Sequence, residues 1–181
     1  MDANTVLILE HKGASGTVAE IGLNRIAARH ALTAHMARTI THALRDWYHR
    51  PDVVAIILRG HEGHFCAGGD LRGLYQHMDD PSHAQDDLFA DEYRLLDLMH
   101  AYPKPIVALL SGFVLGAGAG LAAQARFRVA DASVQWGMPE LQIGLFPDVG
   151  SRYFLRQLSQ PLALYLAMSS VRLSVSDLSF A

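Results

Sequence analysis

Hydrophobic residues alternate with polar ones near the N-terminus and gather into short apolar runs further along the chain. The alternation predicts two strands over residues 5–10 and 17–23, joined by a Gly/Ser turn. Runs rich in aliphatic residues over 52–60 and 104–112 are typical of strands that are buried on both faces. Short extended segments are predicted within residues 128–138.

The segments between these strands have the hydrophobic periodicity of helices. Apolar residues recur with the spacing of one helix face within 32–50, at Met36, Ile40, Ala43, Leu44 and Trp47. Further helices are predicted within 71–78, 88–101, 115–127, 151–159 and 161–170, and a polar loop over 79–87. Strands that alternate with helices indicate an α/β fold with crossover connections, and the length suits one domain over residues 1–181.

The composition argues against several classes of function. The chain has 15 Lys and Arg against 18 Asp and Glu, and the basic residues do not cluster, so nucleic acid is not an expected partner. An apolar run over 105–125 has no charge, but its Ser-Gly turn favours a buried strand and helix over a membrane span. With the single Cys66 and no signal-peptide pattern, we expect a cytoplasmic protein that binds small molecules or proteins.

Two glycine-rich turns lie between predicted strands and helices, over residues 66–70 and 115–121. Glycine allows positive φ and lets a ligand approach the backbone closely. Brought together, the two turns would offer two backbone N–H groups to one oxygen, which is an oxyanion hole. Tight packing of the backbone explains the same glycines equally well, and the turns alone do not decide between these interpretations.

Two carboxylates, Glu140 and Asp148, each follow a proline on either side of an apolar stretch. Each has two interpretations, as a residue that begins or caps a helix or as a catalytic acid. The ten histidines lack the spacing and the supporting acids of a metal site, so no metal is expected. Cys66 follows an apolar stretch, which favours packing over a role as nucleophile.

The segments "FCAGGDL", "KPIVALLSGFVLGAGAGLA" and "FRVADASVQWGMPELQIGLFPDVGSRYFL" occur in this order behind an opening "EIGLNR". Together they resemble the crotonase superfamily, also called the enoyl-CoA hydratase/isomerase family, over essentially the whole chain. The resemblance implies a spiral of ββα turns that forms two roughly perpendicular sheets wrapped by helices. "GGDLRGLY", "DEYRLL" and "MPELQIGLFPDVG" are most similar to the 3-hydroxyisobutyryl-CoA hydrolase group within that family.

Family members bind an acyl-CoA thioester whose carbonyl oxygen lies between two backbone N–H groups. By position, the resemblance implies that Gly69 and Ala117 supply these donors, that Glu140 and Asp148 are catalytic, and that Glu92 contacts the substrate. Further implied substrate-binding positions are Gly68, Asp70, Gly116 and Gly118. The resemblance implies no metal, and no cofactor other than the coenzyme A that belongs to the substrate.

Gly120 separates two activities within the family. Related hydratases have a glutamate three residues after the second oxyanion donor, where this chain has Gly120, so one acid–base partner is absent. The resemblance therefore favours hydrolysis of a short-chain hydroxyacyl-CoA, with 3-hydroxyisobutyryl-CoA of valine catabolism as the expected substrate. An enoyl-CoA hydratase or isomerase and an inactive acyl-CoA-binding module remain alternatives.

The hydrolase group is considerably longer than this chain, and its C-terminal helices cover the acyl-CoA site and build oligomer contacts. We therefore expect that the sequence lacks these helices and is a fragment of a longer protein. The expected partner is the acyl-CoA substrate, with neither nucleic acid nor membrane, and the resemblance is compatible with a homo-oligomer. Arg25 and Arg29 are candidates for binding the CoA end.

Overall fold

A computed structural model describes residues 4–76 and 86–178. Its strands are β1 Val6–Gly13, β2 Gly16–Leu23, β3 Val53–Gly60, β4 Ile106–Leu110, β5 Phe113–Leu115, β6 Phe127–Ala130, β7 Gln135–Gly137 and β8 Arg172–Leu173. Its α-helices are α1 Ala34–Tyr48, α2 Leu71–Gln76, α3 Asp86–His100, α4 Ala117–Gln124, α5 Ser151–Leu155, α6 Gln160–Ser169 and α7 Val175–Leu178. Two 3-10 helices cover Ile26–Ala28 and Glu140–Ile143.

The strands form two sheets. The larger sheet has the order β1-β2-β3-β4-β6, in which β1 and β2 form an antiparallel hairpin and the other neighbours are parallel. The smaller sheet has the order β5-β7-β8. Parallel neighbours require crossover connections, and here α1, α3 and α4 provide them. The α/β class with two sheets is therefore confirmed.

Helices α1 and α3 cover the larger sheet. Helix α1 begins after Thr33, whose hydroxyl oxygen accepts a hydrogen bond from the Met36 N–H at 3.1 Å and so caps the first turn. The predicted apolar stripe of α1 is buried in the core. An ion pair between Arg38 on α1 and Asp91 on α3, at 2.5 Å, joins the two helices. Helix α3 also packs against α4, the helix that follows the second glycine turn.

Helix α4 packs against the first glycine turn with almost no space between the backbones. A Cβ atom added to Gly118 would lie 2.5 Å from the carbonyl oxygen of Cys66 and 2.8 Å from its Cβ. Cys66 itself is fully buried in the core, and burial raises the pKa of its thiol to about 12. The prediction that Cys66 is a packing residue is confirmed. Gly118, a predicted substrate-binding position, packs against Cys66.

The predicted elements differ from the structure mainly at their ends. Helix α5 ends at Leu155, earlier than the predicted 159, and helix α3 begins at Asp86, two residues before the predicted start. The helix predicted over 71–78 is seen as far as Gln76, and residues 77 and 78 lie outside the described residues. So does most of the predicted polar loop, over residues 79–85.

Across residues 4–76 and 86–178, no helix has both the length and the apolar character that a membrane span requires.

The close contact between Gly118 and Cys66 predicts that a single methyl group added at position 118 lowers the stability of the protein. We expect Gly118→Ala to destabilise the protein by about 1–3 kcal/mol, because the methyl group overlaps backbone atoms that cannot move without moving β5. Thermal unfolding measures the change. Gly13→Ala is the control, since its Cβ would lie 3.4 Å from its nearest neighbour, the carbonyl oxygen of Gly16. Equal melting temperatures for the two variants would contradict the packing described here.

Candidate active site

A cavity of about 270 Å³ opens where the two glycine turns meet α3 and the 3-10 turn at Glu140–Ile143. Its polar groups include the carboxylates of Glu92, Glu140 and Asp148. Its apolar wall consists of Leu71, Leu88, Phe89, Ile143, Leu145, Phe146 and Val149. A small apolar cavity with a few convergent polar groups is the usual form of an active site.

The two glycine turns are in direct contact. The Leu115 N–H donates to the Cys66 carbonyl at 3.0 Å, and an isolated bridge pairs Cys66 with Val114. Gly68 and Gly116 both have positive φ, at 114° and 50°, and a Cβ on Gly116 would lie 3.6 Å from the Cα of Gly68. The two turns therefore line one side of the cavity together, as an oxyanion hole requires.

Gly69 and Ala117, the two expected donors, both line the cavity. The Leu32 N–H donates to the Gly68 carbonyl and the Asp70 N–H donates to the Leu32 carbonyl, both at 2.8 Å. In a parallel bridge the intervening N–H, that of Gly69, faces away from Leu32, which is the side where Gly69 lines the cavity. Ala117 is the first residue of α4, where the helix provides no acceptor for the N–H.

Glu140 begins a 3-10 helix, as one of its two interpretations predicted, and its carboxylate lies beside the second glycine turn. A Cβ on Gly116 would lie 2.8 Å from Oε1 of Glu140, so the carboxylate adjoins the residue before the Ala117 donor. Glu140 is 8% exposed, and its Oε2 has no hydrogen-bond partner within the described residues. Burial and then the charge of Asp148 raise the pKa of Glu140 to about 7, against the hydrogen bond from its own N–H.

Glu92 projects into the cavity from α3. It is 2% exposed, and its Oε1 likewise finds no partner in the described part of the chain. Burial raises the pKa of Glu92 to about 8, and the charges of Asp148 and Glu140 add to the effect. The side chain is therefore mostly protonated at neutral pH, and a neutral carboxyl group donates one hydrogen bond and accepts others.

Asp148 does not cap a helix. Helix α5 begins three residues later with Gly150 as its N-cap, and the Ser151 N–H in its first turn donates to the Asp148 backbone carbonyl at 2.7 Å. The Asp148 carboxylate instead accepts a hydrogen bond from the Tyr93 hydroxyl at 2.5 Å. The structure therefore does not support the interpretation of Asp148 as a helix cap. It places Asp148 in the lining of the cavity, where the interpretation as a catalytic acid stays a prediction.

Gly120 provides the space into which the segment after Asp148 packs. A Cβ on Gly120 would lie 2.7 Å from the Cβ of Val149 and 2.8 Å from its carbonyl oxygen. Val149 is 3% exposed and has φ at 42°, which is uncommon for a β-branched residue. A longer side chain at position 120 would displace Val149 and the acid that precedes it.

Some residues predicted to bind substrate lie outside the cavity. Asp70 forms an ion pair with Arg25 at 2.9 Å and accepts from the Gly73 N–H at 3.1 Å. Arg25, proposed from the sequence for the CoA end, is thus bound to Asp70 and also to the Ala31 carbonyl. Arg29 lies over the ring of Phe113, 5.3 Å from its centroid.

Sequence reasoning missed Tyr93 and the apolar wall of the cavity. Tyr93 is adjacent to Glu92, yet no sequence pattern connects it to an acid 55 residues away.

A second, larger groove of about 530 Å³ lies between α4, α5 and α6, and its lining includes Trp136 and Phe154. Its described lining has a charged residue, Arg128, but no carboxylate, and the guanidinium is bonded to carbonyls at the end of α4. The smaller cavity is therefore the candidate active site.

Comparison with known proteins finds one family and a set of named relatives. A model described as Enoyl-CoA hydratase/isomerase matches residues 18–181. A 3-hydroxyisobutyryl-CoA hydrolase, mitochondrial, of Rattus norvegicus is 40% identical over 172 residues, which cover 94% of this chain and 44% of that protein. The Homo sapiens protein of the same name is 39% identical, with 97% of this chain and 45% of that protein covered. The chain thus spans less than half the length of these relatives.

The fold also matches solved structures. An enoyl-CoA hydratase from Polaromonas sp. JS666 superposes with a TM-score of 0.86 at 28% identity, over 96% of this chain and 67% of that one. The relatives above are named mitochondrial, so the cytoplasmic location expected from the sequence is unconfirmed.

The raised pKa of Glu92 predicts that stability depends on pH. The folded-state pKa is about 8 against an ordinary 4.5, so the folded protein binds this proton more tightly than the unfolded chain does. The contribution of Glu92 to the free energy of unfolding is therefore fully present below pH 4.5. It is lost as the pH rises toward 8, by at most about 1.4 kcal/mol per pH unit. Glu92→Gln abolishes this loss, so its melting temperature relative to wild type should rise between pH 5 and pH 8.

Asp97→Asn serves as the control, because Asp97 is an exposed acid on the same helix. A difference between wild type and Glu92→Gln that stays constant with pH would contradict the raised pKa.

Proposed function

The chain belongs to the enoyl-CoA hydratase/isomerase family, and from that premise we propose that its cavity hydrolyses the thioester bond of a short-chain hydroxyacyl-CoA. The proposed substrate is 3-hydroxyisobutyryl-CoA, which water splits into 3-hydroxyisobutyrate and free CoA in valine catabolism. The names of the relatives support this choice. Because the chain spans less than half of those proteins, the proposal concerns the reaction to which this site contributes.

One observation carries the proposal. Three carboxylates converge on a cavity of about 270 Å³ beside two backbone N–H donors, while position 120 has a glycine. Glu140 and Asp148 enter from the segment between β7 and α5, and Glu92 enters from α3. This arrangement supplies acids for a thioester reaction without any side chain from α4.

The backbone donors act on the carbonyl group of the thioester. With the carbonyl oxygen between the N–H groups of Gly69 and Ala117, the carbonyl carbon becomes more electrophilic. The negative charge that develops on oxygen during attack is stabilised by the same two donors. Ala117 also lies at the positive end of the α4 dipole, which favours a developing anion.

Glu140 is the group placed to deliver the nucleophile. With a pKa raised to about 7, it is basic enough to remove a proton from water and is still substantially ionised at neutral pH. Attack of that water on the carbonyl carbon and departure of the CoA sulfur, which takes up a proton, give the acid and the thiol. Attack by the carboxylate itself, through a mixed anhydride that water then splits, gives the same products.

Glu92 and Asp148 are suited to hold a hydroxyacyl group. A substrate hydroxyl both donates and accepts hydrogen bonds, so it needs an acceptor and a donor in the cavity. The Asp148 carboxylate accepts a hydrogen bond from Tyr93 and has lone pairs left for another, and Glu92, whose pKa is raised to about 8, can also donate one. Oε1 of Glu92, which has no partner among residues 4–76 and 86–178, gains a hydrogen bond when such a substrate binds.

The hydratase alternative is favoured less. Solved hydratases share the fold, but a second acid on α4 at position 120 would overlap Val149, whose Cβ lies 2.7 Å from the Cβ position there. We also propose that the protein forms a homo-oligomer, and that coenzyme A enters the site as part of the substrate.

The mechanism predicts that Glu140→Gln abolishes the release of CoA from 3-hydroxyisobutyryl-CoA. The amide is close in shape to the carboxylate but is neither a base nor a nucleophile, so the expected loss of kcat is at least about 100-fold. Release of free thiol from the substrate measures the rate. Glu62→Gln, at an exposed glutamate beyond β3, is the matched control and should retain wild-type turnover. Turnover by Glu140→Gln at the control rate would refute the assigned role.

A further inference from the structure

We propose that Tyr93 is a positioning residue that holds the Asp148 carboxylate in the cavity through the hydrogen bond from its hydroxyl. This inference rests on the proposed function, since Tyr93 acts through one of the proposed acids. The distance between the Tyr93 hydroxyl and Oδ2 of Asp148 is 2.5 Å, which is typical of a strong bond from a hydroxyl to a carboxylate.

Three consecutive residues of α3 perform three different tasks. Asp91 forms an ion pair with Arg38 at 2.5 Å, which links α3 to α1, and a second one with Arg94 of α3 itself at 3.1 Å. Glu92 projects into the cavity, and Tyr93 reaches across its mouth to Asp148. Because successive helix residues point about 100° apart, one fixed helix presents an anchor, an acid and a hydroxyl donor in three directions.

The segment that carries Asp148 needs such a restraint. It leaves the 3-10 turn at Gly144, where an added Cβ would meet nothing within 4 Å, and its Phe146 is 72% exposed. On the other side of Asp148, buried Val149 secures the backbone against Gly120. The hydrogen bond from Tyr93 restrains the Asp148 side chain itself, across 55 residues of sequence.

The same bond also affects the electrostatics of the cavity. Glu92 and Tyr93 from α3 and Glu140 from the 3-10 turn all interact with the charge of Asp148. Burial and then the hydrogen bond to Asp148 raise the pKa of the Tyr93 hydroxyl, so the hydroxyl keeps the proton that it donates to the carboxylate.

Tyr93→Phe tests the inference, because it removes the hydroxyl and keeps the ring beside Phe89. The first measurement is amide hydrogen exchange, which requires no substrate. The Leu145 and Ser151 amides, which donate to the carbonyls of Glu140 and Asp148, should exchange about tenfold faster in Tyr93→Phe and by a similar factor in Asp148→Ala, with no further change in the double variant. Tyr153→Phe, at an exposed tyrosine on α5, is the matched control and should match wild type.

Unchanged exchange of the Leu145 and Ser151 amides in Tyr93→Phe would overturn the inference, whether or not the protein hydrolyses the proposed substrate. The second measurement is turnover of 3-hydroxyisobutyryl-CoA. We expect kcat to fall by about tenfold to a hundredfold in Tyr93→Phe, with KM changed by less than about threefold, because the bond serves the reacting geometry more than substrate affinity. An equal loss in Tyr153→Phe would also overturn it. Absence of turnover in wild type would count against the proposed function alone.

Discussion

The site depends on one close contact between two backbone segments. Helix α4 lies so near the 66–69 turn that Gly118 has no room for a methyl group beside Cys66. Gly116, with φ at 50°, turns the chain from β5 into α4 at the same place. The contact brings Gly69 and Ala117, the two proposed donors, to one cavity, and everything that the carboxylates are proposed to do requires a carbonyl group held there.

The second constraint is electrostatic. Three acids share a small cavity, and two of them, Glu92 and Glu140, are more than nine-tenths buried, each with an oxygen atom that has no partner in the described part of the chain. Burial and mutual repulsion raise the pKa of Glu92 to about 8 and that of Glu140 to about 7. Burying these acids lowers the stability of the folded protein. The raised pKa values occur where a base near neutral pH and a neutral proton donor are both useful. The third acid, Asp148, accepts a hydrogen bond from the Tyr93 hydroxyl.

A further relation connects Gly120 with Asp148. From the sequence, Gly120 indicates only that an acid is missing from α4. In the structure, the space at Gly120 is filled by Val149, so the helix that lacks an acid supports the segment that supplies one. The absence of one acid and the presence of the other are thus parts of the same packing arrangement.

The sequence predicted most of the fold because its periods are clear. The apolar stripe of α1 and the buried runs of β3 and β4 define elements within a few residues. The family resemblance identified Glu92, Glu140 and Asp148, which the structure brings to one cavity. It could not separate Asp70, which is held by Arg25, from the residues that line the cavity. Nor could it reveal Tyr93, because a hydroxyl that reaches a distant loop leaves no periodic signal.

The central claim is that this cavity splits a thioester and does not hydrate a double bond. The most direct measurement incubates the protein with 3-hydroxyisobutyryl-CoA and, separately, with crotonyl-CoA, and follows both free thiol and the absorbance of the enoyl thioester. The account predicts thiol release from the hydroxyacyl substrate and no loss of enoyl absorbance from crotonyl-CoA. Loss of enoyl absorbance from crotonyl-CoA, with no thiol released from either substrate, would contradict it.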